Sequence, residues 1–131
     1  MDCFSLGGMV ESTLNSWEEA PWPKENIIHE NPGFAVIKDG FPVTEGHLLF
    51  VPKTRDHVNI VQCFGAAYTW GNKGVNNGDY EGYNIGYNNG TVAGQTVFWP
   101  HIHLIPRRKG DVENPQGGVR HVIPRKGNYR A

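Results

Sequence analysis

The run FWPHIHLIP, residues 98–106, constrains the fold more than any other part of the chain. On an extended strand, successive side chains point to opposite faces of a sheet. Phe98, Pro100, Ile102 and Leu104 then share a wholly apolar face, which must be the core side. Val97, Trp99, His101, His103 and Ile105 share the other. The run therefore predicts a strand buried on one face and carrying two neighbouring imidazoles on the other.

Such a pair suits three chemistries. Two imidazoles at i and i+2 can chelate a metal. One can attack as a nucleophile while the other binds developing charge. Or the pair lies on a solvated face with no chemistry. No acid or cysteine flanks this strand, so a metal would need ligands from elsewhere in the chain. Gly94-Gln95-Thr96 just before the strand, and Tyr87-Asn88-Asn89-Gly90 further upstream, supply neutral amide and hydroxyl groups. Neutral donors around imidazoles suit a phosphoryl group better than a divalent cation.

The rest of the chain supplies a sheet for this strand. Asn26–Glu30 and Phe34–Asp39 read as strands around an Asn-Pro-Gly turn, His47–Lys53 as a third, Gly82–Gly90 as a fourth and Thr96–Pro106 as the fifth. Val58–Val75 is the one convincing helix, with Ile60, Phe64, Ala67 and Tyr68 at helical spacing. A short helical turn is also expected around Glu11–Glu18. This order predicts an α+β fold: an antiparallel sheet of about five strands with one main helix on one face. Residues 1–131 form a single domain, with an irregular N-terminal segment at 1–24 and a basic, extended tail at 107–131.

Formal net charge is −1, but residues 107–131 hold seven Lys/Arg against Asp111 and Glu113. The tail is thus about +5 and the remainder about −6. That balance argues against a general nucleic-acid binder, so nucleic acid is not an expected partner. No stretch has the length of a membrane span, and none reads as a signal peptide. With only Cys3 and Cys63, no disulfide framework is expected and a reducing cytoplasm is the default location.

The segment YNIGYNNGTVAGQTVFWPHIHLIPRRKGD resembles the signature region of the histidine triad (HIT) superfamily, in which three histidines alternate with apolar residues after a Gly-Gln-Ser/Thr-Val run and before Pro-Arg. The resemblance continues upstream in VIKDGFPVTEGHLLFVPK and downstream in KGDVENPQGGVRHVIP, so that roughly residues 33–125 match in order, the tail being similar to bacterial members. Gln95 and Pro106 set the frame: His101 takes the place of the middle histidine, His103 of the last, and Trp99 of the first. The resemblance implies a HIT-like fold and a nucleotide hydrolase of the dinucleoside polyphosphate type. It would cleave a phosphoanhydride or phosphoramidate bond at the α-phosphate. His101 would be the nucleophile, forming a covalent nucleotidyl-histidine, and His103 would hold a phosphate oxygen. It further implies that Gln95, Thr96 and Asn88 contact the phosphate region, that Asp39 binds the ribose, and that His47 supports His103. Phe41 or Ile37 packs on the base. A homodimer formed through the helix and an adjacent strand is also implied.

The departure from the family's pattern is Trp99. In zinc-containing bacterial members the first histidine is a ligand, with two N-terminal cysteines and a histidine after the Pro-Lys strand. Here Leu6 stands for the second cysteine and Trp99 for the histidine, leaving only Cys3 and His57. Four ligands cannot be assembled, so no structural metal and no cofactor are expected. Trp99 either plugs the vacated site or lines the pocket and stacks on substrate. Pro100 matches a His-Pro-His run of the nucleotidyltransferase branch, which keeps a transferase open. A nucleotide-binding module with a decayed triad would fit the same residues, as would a metal-binding protein using His101 and His103.

Overall fold

The computed structural model describes residues 14–128. At Asn31 the side-chain oxygen accepts from the backbone N–H groups of Gly33 (2.8 Å) and Phe34 (2.9 Å), an Asx turn that folds β1 (Ile27–Glu30) back onto β2 (Phe34–Lys38). The loop after β2 returns into β3 (Leu48–Pro52), paired antiparallel with β2 from Phe34↔Pro52 to Lys38↔Leu48. The helix α1 (His57–Asn76) follows, its N-terminus capped by the Asp56 carboxylate accepting from the Asn59 N–H. Next come β4 (Gly82–Tyr87) and β5 (Ile102–Arg107). The strand order is β1-β2-β3-β5-β4, all neighbours antiparallel. Five strands and one main helix are the α+β architecture expected above.

Each sheet face carries its own apolar layer. Val36, Phe50, Ile102 and Leu104 pack with Cys63 and Ala67 under the helix. On the far face Ala35, Ile37, Leu49, Val51 and Trp99 form a second layer, covered by Leu14, Trp17, Trp22 and Ile27. The face opposite the helix is therefore partly roofed by the N-terminal segment.

Two details differ from the sequence reading. First, β5 starts at Ile102 instead of Thr96. Residues 96–101 lie outside the ladder, where Pro100 has no N–H to give. Second, the buried face of α1 is made by Cys63, Ala67, Gly71 and Gly74, while Tyr68 is 60% exposed. Small residues let the helix lie close to its neighbours: a Cβ on Gly71 would overlap the ring of Tyr83 in β4, and one on Gly74 the ring of Tyr80 in the loop before β4. Of the turn expected at Glu11–Glu18, residues 11–13 lie outside the described part, and the chain forms a 3-10 turn at Trp17–Glu19.

Beyond β5, Arg107 is held by Asp111 through two hydrogen bonds (2.8 and 2.9 Å) and by the Asn84 side chain (2.7 Å). That pairing holds the Asp111 carboxyl well below the usual carboxylate range. A further 3-10 turn at Gly118–Val122 docks against β4. No helix among the described residues is long and apolar enough to cross a membrane.

Candidate active site

Three imidazoles and one carboxylate meet on the face opposite the helix. His103 stands on β5 opposite Leu49 of β3 and Gly86 of β4. His101 is the residue immediately before β5, and its ring centroid lies 5.1 Å from that of His103. His47, at the entrance to β3, reaches His103 from the other side.

The hydrogen-bond chain assigns the tautomers. The Val43 N–H donates to His47 Nδ1 (3.2 Å), which must carry the lone pair. His47 Nε2 therefore carries the proton and gives it to His103 Nδ1 at 2.9 Å, with Asp39 Oδ2 at 3.4 Å. His103 then has its own proton on Nε2. His101 Nδ1 lies 2.7 Å from the Trp99 carbonyl, which can only accept, so this nitrogen is protonated. The result is a lone pair on His101 Nε2 beside an N–H donor on His103, the arrangement a nucleophile and an oxyanion binder require.

Electrostatics keep all three rings neutral near pH 7. Burial pushes the His101 pKa down, against the Trp99 carbonyl and Asp39, which raise it. His47 is lowered by burial and partly restored by Asp39. His103 falls to about 4, first through burial and then through the neighbouring His101 and His47. Acid should consequently destabilise the fold. Unfolded His103 takes up a proton near its ordinary 6.5, the folded residue only near 4, so its contribution is complete above 6.5 and is lost as pH falls toward 4. Thermal midpoints measured from pH 7 to pH 4 should decline, and His103→Gln should flatten that decline.

Two cavities flank His103. One, of about 500 Å³, is lined by Asp39, Thr96, His101 and His103 together with Trp22 and Phe41. The other, of about 420 Å³, is lined by His47, Asn88 and His103 and walled by Val119 and Val122 of the tail. Six of the eight residues singled out from the sequence thus border one or the other of the two cavities that meet at His103. Gln95 does not present its amide there: its Oε1 accepts from the Gly90 N–H (2.7 Å) and its Nε2 donates to the Val97 carbonyl (3.0 Å). It closes the loop that sets Thr96 in place. Trp99, expected among the substrate-facing residues, is 3% exposed within the second apolar layer, and its indole N–H donates to the Pro52 carbonyl at 2.8 Å. Its burial follows from the apolar residues of β2 and β3 beneath it. Trp22 escaped the sequence reading. It sits between two prolines in an irregular segment, and an exposed-looking Ala-Pro-Trp-Pro carries no periodicity to mark it.

Among the described residues the donor set does not fit zinc. Trp99 offers an indole, which has an N–H and no ligating lone pair. Asp39, His47 and His103 gather closely, but the two imidazoles share a proton at 2.9 Å and Asp39 faces the same N–H. Cys3 and Leu6 lie outside the described residues.

Residues 22–110 match the HIT domain family, and the chain belongs to that family. It is 33% identical over 97 residues to a HIT-like protein of Chlamydia pneumoniae, covering 62% of this chain and 80% of that one. It is 32% identical over 92 residues to the adenylylsulfatase HINT3 of Arabidopsis thaliana, there covering 64% of this chain but 46% of the plant protein. In structure it is similar to a zinc-bound histidine triad family protein of Mycobacterium smegmatis, with a TM-score of 0.60 and 32% identity over 65% of this chain and 67% of that one.

Proposed function

We propose that the protein is a nucleotide hydrolase of the dinucleoside polyphosphate type. It cleaves a phosphoanhydride or phosphoramidate bond at the α-phosphate through a covalent nucleotidyl-histidine on His101. One observation carries the reading: the Nδ1–H of His101 is tied to the Trp99 carbonyl, which leaves Nε2 as an unprotonated nucleophile beside the His103 donor. The name of the Arabidopsis relative, an adenylylsulfatase, records a hydrolase in the same family.

In the first step His101 Nε2 attacks the α-phosphorus and the bond to the leaving group breaks. The ring, now bonded at Nε2 and protonated at Nδ1, is cationic, and the Trp99 carbonyl and Asp39 favour that charge. His103 Nε2–H and Thr96 receive the phosphoryl oxygens, and Asp39 the ribose hydroxyls. Water then attacks phosphorus and gives up one proton to solvent or the departed leaving group, the N–P bond breaks, and Nε2 recovers its lone pair. The work is positioning and charge neutralisation, which is most of what phosphoryl transfer requires. Trp99 acts as an apolar plug beneath the site, not as a substrate contact.

Incubation with a dinucleoside polyphosphate and with adenosine phosphoramidate tests this reading. Release of a nucleoside monophosphate from either is the expected result. Tight binding of both without release would mean a binding module with a decayed triad. Transfer to an added phosphate or sugar phosphate, in place of water, would mean the nucleotidyltransferase that Pro100 keeps open.

The protein acts as a homodimer in this reading. β4 is an edge strand with one row of backbone groups unpaired by any described strand. Phe64 meets Tyr87 of β4 edge to face, and Val61 and Tyr68 extend that apolar stripe along α1. An edge strand beside an apolar helix stripe is self-complementary about a two-fold axis, so a second copy fits it. Sedimentation should give twice the monomer mass, and Tyr68→Glu should shift the protein to monomer. A monomeric wild type at micromolar concentration would contradict this.

A further inference from the structure

We propose that Trp22 is the positioning residue for the His101 ring, and that Arg55 and Trp99 form a latch holding it there. The proposal deepens the hydrolase reading and rests on it for kinetics alone. His101 precedes the first ladder residue of β5, so no strand pairing fixes its backbone. Its ring has one hydrogen bond, to a carbonyl two residues back in the same irregular segment. Two rings face it otherwise: His103 at 5.1 Å between centroids, and the Trp22 indole at 5.0 Å and inclined by 66°. The edge-to-face contact with Trp22 restricts rotation of the imidazole at the wall of the cavity that Trp22 and His101 both line.

Trp22 is itself rigidly presented. Pro21 and Pro23 flank it and restrict the backbone on both sides. The segment that carries it is clasped to the core by Arg55, whose Nη2 donates to the carbonyls of Leu14 (3.0 Å) and Phe98 (2.6 Å). The same guanidinium lies 4.8 Å over the Trp99 ring. Lys53 over Trp17 adds a second such contact at 5.5 Å. A histidine at position 99 would offer the guanidinium a smaller ring and, when protonated, a like charge. The indole at position 99 and the aromatic support for His101 are therefore two parts of one arrangement.

The test compares Trp22→Phe, Trp22→Ala and Arg55→Gln in the full chain, with histidine ¹⁵N labelling. The His101 Nδ1–H resonance reads ring position without turnover, and the proton between His47 and His103 reports an intact fold. The expected result is a protected Nδ1–H in the wild type and Trp22→Phe, and its loss to solvent exchange in Trp22→Ala and Arg55→Gln while the His47 proton persists. With dinucleoside polyphosphate, kcat should fall roughly 10–100-fold in Trp22→Ala, more than KM rises, and recover in Trp22→Phe. A protected Nδ1–H in Trp22→Ala would overturn the role of Trp22. Protection in Arg55→Gln would overturn the latch, and this variant leaves every cavity-lining side chain in place should Trp22→Ala not fold. Correct NMR behaviour in a protein without turnover would sink the hydrolase reading and leave the positioning role standing.

Discussion

Replacing His101 by asparagine is expected to lower mononucleotide release by about a thousandfold or more while changing nucleotide affinity by only about threefold. The reason is the division of labour in the site. In the proposed reading, binding is spread over Asp39, Thr96 and His103, which line the same cavity, whereas the reacting lone pair belongs to His101 alone. Asparagine keeps a polar group of moderate size but cannot form the N–P bond. His103→Gln should behave differently: glutamine retains a donor, so the phosphate oxygen keeps a partner and the loss in kcat is smaller, roughly 10–100-fold. A steady-state comparison of the two variants against one substrate separates nucleophile from oxyanion binder. Equal losses would mean that the two rings act as one unit.

Trp99→Ala should have the largest effect on stability, about 3–5 kcal/mol, lowering the thermal midpoint by roughly 10–20 °C. Three losses combine. A large cavity opens among Ala35, Ile37, Leu49 and Val51. The Pro52 carbonyl loses its 2.8 Å donor in a buried setting, and Arg55 loses the ring beneath it. Trp99→Phe keeps an aromatic ring for Arg55 and most of the volume, so its cost should be closer to 1–2 kcal/mol, roughly that of an unmade hydrogen bond and a small void. Scanning calorimetry on the three proteins checks the order. A midpoint for Trp99→Ala within a few degrees of wild type would show that the indole is not a core plug.

Much of this arrangement is legible in the sequence, for identifiable reasons. The alternation in FWPHIHLIP separates the helix-packed face from the histidine face, because strand geometry leaves only two directions. Trp99, His101 and His103 do share a side of the sheet, even though only His103 of the three lies within β5. The partnership of His47 with His103 comes from a family frame and not from any local signal, since the two are 56 residues apart. The helix is readable in extent but not in orientation. Of the stripe Ile60, Phe64, Ala67 and Tyr68, Ala67 is buried in the core and Ile60 packs against it, whereas Phe64 and Tyr68 are exposed and close packing adds Cys63 and two glycines. Least legible is the N-terminal segment. Trp17 and Trp22 have no periodicity to betray burial, and Arg55 joins their segment, through the Leu14 carbonyl, to Phe98 only in three dimensions.

The central claim is that His101 becomes covalently nucleotidylated during turnover. It is tested most directly by mixing the protein with excess substrate, quenching within milliseconds under alkaline conditions that preserve N–P bonds, and mapping the adduct by peptide mass spectrometry. The account predicts one nucleoside monophosphate on the peptide containing His101, absent in His101→Asn and decaying when substrate is exhausted. Mononucleotide release at full rate with no adduct on His101 at any time would contradict it, because the lone pair held beside His103 would then be a bystander.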